Sequence, residues 1–301
     1  MLSKEMTQRI SILKSDDQII DFIDERIKEL EQNAETKTVI AEPDTEFADY
    51  IGNKVRYLSI NNYYNMPILV YDDFTPYINL IRTINNTNPR MGFVGTLDSI
   101  FRTIYDYMGN QGTQDNENLR LQIYFDAKKR GEDFVSIREF ADNKCAFCSE
   151  NAGLSHNMFK ILGIDSKLAS GTKVYSGIRE LHAFNLVYPN GYDGHKIMLF
   201  DPSHFISFQD QQDNKVSLPY FIKVSEEEYE YMRAGIMQDL DIKATVDLIQ
   251  GCFGPYKSAE YDEGRYTIGI KGTSRSQEIL DSMQSDESNN SQNKTLVKEK
   301  Q

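Results

Sequence analysis

The chain has no tryptophan among its 301 residues, so 18 tyrosines and 16 phenylalanines supply all its aromatic side chains. Cysteine is scarce and odd in number, at three. A disulfide framework needs a dense, even set, so three thiols point to a reduced protein. No apolar run approaches the roughly 18 residues that a transmembrane helix requires. The opening stretch, MLSKEMTQRISILKSDDQ, lacks the apolar segment and small-residue cleavage site of a secretory signal. A cytoplasmic location is therefore expected, with secretion independent of such a signal left open. Basic residues are also in deficit: 33 Lys and Arg against 46 Asp and Glu give a net charge of −13. That balance argues against a nucleic-acid partner, because binding phosphates takes a basic surface. The acidity supports solubility and mildly favours cationic or neutral partners. No membrane partner is expected.

Apolar residues make up 40% of the chain, enough for a sizeable core. Ser15-Asp16-Asp17-Gln18 reads as a capping box, and Ile19, Ile20, Ile23, Ile27 and Leu30 follow at helical spacing. Residues 31–46 read as a linker. A second helix is predicted over 97–108, capped by Thr96 and stopped by Gly109, and a third over 117–130, ending at Gly131. Ser136 offers a cap for a short helix leading toward Cys145. After Gly163 the period changes: LASGTKVYS, HAFNLVY and KIMLF read as strands, with turn signals at 189–191 and 193–194. Residues 226–232 and 242–249 return to a helical pattern. Residues 261–270 suggest a hairpin around Glu263-Gly264, and 273–301, poor in apolar residues, suggest disorder. Helices, one central helix and then strands make an α+β arrangement.

The central stretch is KCAFCSENAGLSHNMFKILGI, residues 144–164. Cys148, Ala152, Ser155, Phe159 and Leu162 share one helical face, and Leu154, Met158 and Ile161 line a neighbouring one, so this helix is expected to be buried on more than one side. Cys148 falls in its first turn, where unpaired N–H groups and the helix dipole favour an anion. A thiol so placed is a candidate reactive thiolate. Cys145 lies one turn earlier, in the lead-in, without that placement. His182 opens a predicted strand and is the candidate base. Asp201, at the end of the next strand and followed by Pro202, is the candidate orienter of the imidazole.

Other arrangements compete for the same residues. Cys145-x-x-Cys148 is also the spacing of a redox pair, although helices rather than a βαβ unit surround it. As a zinc half-site it needs two further ligands, for which Cys252, His156 and His204 are available. His156 otherwise reads as a packed or exposed helix residue, His195 and His204 as surface residues, and Glu180 as a solvated group near the cleft.

In order, Cys148, Ala152, Gly163-Ile164, Ser170-Gly171, His182-Ala183-Phe184 and Asp201-Pro202 resemble the transglutaminase-like superfamily of cysteine enzymes, whose core is papain-like. The set spans roughly residues 130–206, about a quarter of the chain. The resemblance implies Cys148 as nucleophile, His182 as base and acid, and Asp201 as orienter, with no cofactor and no metal. It implies a Cys-bearing helix packed on an antiparallel sheet. In the resulting division, 1–95 is a helical extension and linker, 96–272 the catalytic domain and 273–301 a tail. Phe184 stands where the family commonly has tryptophan. An oxyanion hole is expected from the Cys148 N–H and one polar side chain, with Gln111, Gln114, Gln122 and Asn143 as candidates. The expected function is hydrolysis of peptide or isopeptide bonds in a protein or peptide substrate. The alternatives are protein transamidation and a non-catalytic binding module on the same fold. Nothing in the sequence fixes the oligomeric state.

Overall fold

The structure, a computed structural model, describes residues 2–32, 38–39, 47–50, 57–60, 67–87, 92–109, 114–175, 178–189, 196–233, 236–260 and 266–270. Its architecture mixes helices with a curled, largely antiparallel sheet, in keeping with the α+β expectation. The tail from 273 and His195 lie outside the described residues, as does most of the expected linker.

The amino-terminal helices are α1 (Lys4–Ser11), capped by Ser3, and α2 (Asp16–Gln32). The capping box read at Ser15 is formed: the Ser15 hydroxyl accepts the Gln18 N–H, and the Gln18 side chain accepts the Ser15 N–H. Met6, Ile10, Ile19, Phe22, Ile23 and Ile27 join the core that underlies the rest of the chain. Each buried aliphatic side chain of this kind contributes about 1.5–3 kcal/mol. Short strands β1 (Thr38–Val39), β2 (Phe47–Tyr50), β3 (Tyr57–Ile60) and β4 (Pro67–Leu69) were not anticipated. They form one sheet with β5 (Val135–Ser136), antiparallel except for the parallel β4–β5 pair. Helix α3 (Thr75–Asn86), with Pro76 in its first turn, was not anticipated either.

Helix α4 (Gly92–Met108) begins a turn before Thr96, which is buried inside it and caps nothing. It ends where expected, at Gly109, whose φ of 79° suits glycine. Helix α5 (Gln114–Arg130) likewise ends at Gly131, and α6 (Ile137–Asn143) is capped by the Ser136 hydroxyl. Lys144 adopts a left-handed conformation and sends its ammonium back to the Tyr107 carbonyl at the end of α4. The chain then enters α7 (Cys148–Ile161), whose residues are buried on almost every side. The Arg26 guanidinium of α2 donates to the Lys160 and Ile161 carbonyls, satisfying acceptors left open at the far end of α7.

The second sheet runs β10 (Gln238–Leu240), β12 (Tyr266–Ile270), β6 (Asp165–Tyr175), β7 (Ile178–Tyr188), β8 (Ile197–Gln209), β11 (Ser258–Glu260), with β9 (Lys215–Val224) also paired to β8. Helix α7 packs on β6, β7 and β8, with α4 alongside. Helices α8 (Glu226–Arg233) and α9 (Ile242–Phe253) stand where the helical pattern returned. Of the hairpin read at 261–270, only the second arm lies within the described residues. Residues 266–270 pair with β6 and β10, while 258–260 join β8 at the opposite edge; 261–265 lie outside the described residues. Among the described residues no helix is long and apolar enough to cross a membrane.

Candidate active site

The nucleophile candidate is set by how α7 begins. Phe147 is extended, and Cys148 is the first helical residue. The fully buried Glu150 carboxylate accepts the Phe147 N–H at 2.9 Å, tying off the first turn. Glu150 is held in turn by Arg120 of α5 at 2.8 Å and by the Tyr124 hydroxyl at 2.7 Å. Burial opposes the charge of Glu150, but Arg120 and these hydrogen bonds outweigh it and hold its carboxyl below the usual range. Arg120 also donates to the Ser149 hydroxyl and lies over the Tyr124 and Phe147 rings. Sequence reasoning missed this cluster, although Glu150, three residues after Phe147, carries the capping-box spacing.

Behind Cys148, α7 is seated on β7 through Asn185. The Asn185 amide donates to the Ala152 carbonyl at 3.0 Å, and its oxygen takes the Ser155 hydroxyl in a short contact. Phe159 meets Phe200 of β8 edge-to-face at 5.5 Å. His156, far from catalysis, is buried with its Nδ1 2.8 Å from the Ser166 hydroxyl.

Strands β7 and β8 are hydrogen-bonded from Asn185–Phe200 to Val187–Met198. His182 and Asp201 lie just past the end of that ladder, one on each strand. The structure brings them together: His182 Nε2 and Asp201 Oδ2 are 2.7 Å apart, with His182 5% exposed and Asp201 fully buried. The His182 ring is also hydrogen-bonded to the half-buried Cys148 thiol, which in addition accepts the Ala183 N–H. With Nε2 committed to Asp201, the thiol's partner is Nδ1. Phe184, in the expected aromatic position, is fully buried and parallel to the His182 ring at 6.4 Å.

The electrostatics follow from this chain of contacts. Burial alone would raise the Cys148 thiol, but the hydrogen bond and charge of His182 and the Ala183 N–H outweigh it and lower it. Burial would likewise lower His182, yet Asp201 and then Cys148 hold it up at about 9. Asp201 is held well below the usual carboxylate range by His182 and His204 despite the cost of burying it. Both shifts act in the direction of a thiolate beside an imidazolium. Cys145 behaves oppositely: fully buried, with the Phe140 carbonyl 4.0 Å from its sulfur, it is pushed up to about 11 by burial, which disfavours its thiolate.

Two expectations are corrected here. Asp201 does not end its strand. Strand β8 continues through Pro202 to Gln209, and its pairing with β9 jumps from Asp201–Tyr220 to Phe205–Pro219. Pro202 has no N–H to give the ladder, so 202–204 bulge out of it. Nor does His204 simply face solvent: its side chain is only 20% exposed. The bulge turns it back so that Nδ1 lies 3.0 Å from Asp201 Oδ2, while the Ser203 N–H fills Asp201 Oδ1. His204 stacks on Tyr220, and its Nε2 lies 2.6 Å from the Nζ of the buried Lys173.

Among the described residues, the donors close enough to share one ion are His182, Asp201 and His204, not the set built on Cys145, Cys148, Cys252 and His156. A lysine ammonium against the outer nitrogen of His204 opposes a dication at that point. Of the oxyanion candidates, Gln122 donates to Asp126 and Asn143 to the Glu139 carbonyl, so both are engaged within their own helices. Gln111 and the side chains of Gln114 and Glu180 lie outside the described residues.

No family model, no curated protein and no solved structure matches this chain.

Proposed function

We propose that the protein is a cysteine-dependent hydrolase of peptide or isopeptide bonds, built on a transglutaminase-like, papain-like core. The observation that carries this reading is the single imidazole, His182, held between the Cys148 thiol and the buried Asp201 carboxylate. The support for the core is the position of Cys148 as the first residue of a helix packed across the strands that bear the other two groups. Three free thiols suit a reducing, cytoplasmic setting.

The chemistry runs in two halves. The Cys148 thiolate attacks the substrate carbonyl, forming a carbon–sulfur bond, and the carbonyl oxygen takes up the negative charge near the Cys148 N–H. As the carbon–nitrogen bond breaks, the His182 imidazolium gives its proton to the leaving amine. A thioester remains. Neutral His182 then takes a proton from water, the hydroxide adds to the thioester, and the acid leaves as the thiolate re-forms. Asp201 keeps Nε2 protonated throughout, so that Nδ1 faces the reacting atoms.

The test is a mixture of peptide and isopeptide substrates offered to wild type and Cys148→Ala, read by mass spectrometry. Expected are cleavage that needs Cys148 and an acyl adduct on its peptide after rapid acid quench. A labelled primary amine incorporated in place of water would assign the transferase alternative. Absence of any Cys148-dependent product or adduct would overturn the hydrolase and leave a binding module.

A further inference from the structure

We propose that Lys173 and His204 form a buried counter-charge to Asp201, holding its carboxylate ionised and oriented when His182 has given up its proton. The inference rests on the hydrolase reading above and assigns positioning residues to it.

The need arises from burial. Asp201 has no exposed surface, and an isolated carboxylate in such a place is costly. While His182 is an imidazolium, the pair is balanced. Each half of the reaction, however, passes through a state with His182 neutral. Without a second positive group, Asp201 would then be a lone buried anion, and the proton would be held too tightly at His182 to be released to the leaving amine.

The geometry supplies that group. Lys173 lies on β6 and His204 on β8, with β7 between them in the sheet, yet Nζ reaches Nε2 at 2.6 Å. Lys173 is 1% exposed. An ammonium has no lone pair, so in this contact lysine donates and Nε2 accepts. The remaining ring proton of His204 then belongs on Nδ1, which is 3.0 Å from Asp201 Oδ2. His204 is thus a neutral bridge that sets a lysine charge against Asp201 without competing for the proton that His182 moves. The Pro202 bulge and the Tyr220 ring fix the bridge in place. Among the described residues, the ionisable groups around this network include Cys148 and Glu150 of α7, with Arg120 of α5 balancing Glu150, and Tyr220 of β9 against the His204 ring, while Glu180 stands opposite Lys173 in the β6–β7 register.

The experiment is ring-nitrogen NMR of the labelled full chain between pH 5 and 11, aided by there being only four histidines to assign. Wild type should show His204 protonated at Nδ1 alone near neutral pH. In Lys173→Met, and in His204→Asn, which keeps a donor to Asp201 but breaks the link to lysine, the His182 imidazolium should persist about one pH unit higher, a tenfold change in its proton equilibrium. His204 protonated on Nε2 or on both nitrogens, or an unmoved His182 titration in folded variants, would overturn the counter-charge. Should the variants not fold, the wild-type tautomer decides. Alkylation of wild-type Cys148 at low pH, measured alongside, separates the two readings. If it is present while the histidine results fail, only this inference falls. If it is absent, the thiolate–imidazolium pair and the hydrolase fall too.

Discussion

The Arg120 guanidinium and the Glu150 carboxylate meet at 2.8 Å beneath the first turn of α7, with Arg120 12% and Glu150 0% exposed at the side chain. The pair joins α5 to the residue pair that presents the candidate nucleophile, Cys148. It also cancels a charge, because Glu150 by itself raises the Cys148 thiol. Arg120→Met should therefore do two things. Removing one partner of a buried pair should cost about 3–5 kcal/mol, read by urea unfolding. The uncompensated Glu150 should also push the Cys148 thiol up and slow its alkylation at neutral pH. Lost stability with unchanged thiol reactivity would mean that the pair is only a brace.

Cys148 and Cys145 should differ in kind as well as in rate. Cys148 is lowered by His182 and the Ala183 N–H, whereas Cys145 is raised to about 11 by burial. Alkylation mapped by peptide mass spectrometry should find Cys148 reacting well below the usual thiol pKa of about 8.5, and Cys145 protected until the chain unfolds. The low-pH reaction should vanish in His182→Ala and survive in Cys145→Ser. Fast labelling of Cys145 in the folded protein would reverse the assignment.

The three residues of the candidate site stood out because they sit at positions with a physical signature. Cys148 marks a helix start, His182 a strand and Asp201 the residue before a proline. What was hidden depends on long-range pairing. His204 reads as a surface residue until the β8–β9 register shift turns it inward, and Lys173 reads as an ordinary strand lysine until β6 is set two places from β8. Strand β9, with Pro219 at its centre and its lysines at or next to the ends, lacks clean alternation. It is specified by β8 rather than by its own pattern. The 266–270 arm shows the same dependence, since its partners, β6 and β10, are distant in sequence.

Asp201→Asn should leave the fold and remove the cause that holds His182 at about 9. An asparagine amide can also present its oxygen to the wrong ring tautomer. In a serine triad the equivalent change costs roughly 10⁴ in kcat, and a loss of that order is expected here. His182 should titrate nearer its ordinary value of about 6.5, so the thiolate–imidazolium window should narrow from its alkaline side. A pH–rate profile of the same width and position as wild type would remove Asp201 from the orienting role.

His156 sets a prediction about acid stability that is independent of catalysis. Burial holds it down at about 3, with Nδ1 on the Ser166 hydroxyl. In the unfolded chain it would titrate near 6.5. Between those two values the unfolded state binds a proton that the folded state refuses, so stability rises with pH and is lost as pH falls from about 6.5 toward 3. Above that window the residue contributes no slope. His156→Asn keeps a small polar group beside Ser166 and has nothing to titrate. Its stability at pH 7.5 should be somewhat reduced by repacking, but its loss per pH unit between 6 and 4 should be shallower by up to about 1.4 kcal/mol, one proton's worth. Urea unfolding at three or four pH values measures both slopes. Identical slopes would mean that His156 accepts its proton in the folded state, which a side chain 1% exposed and enclosed by α7 and β6 should not do.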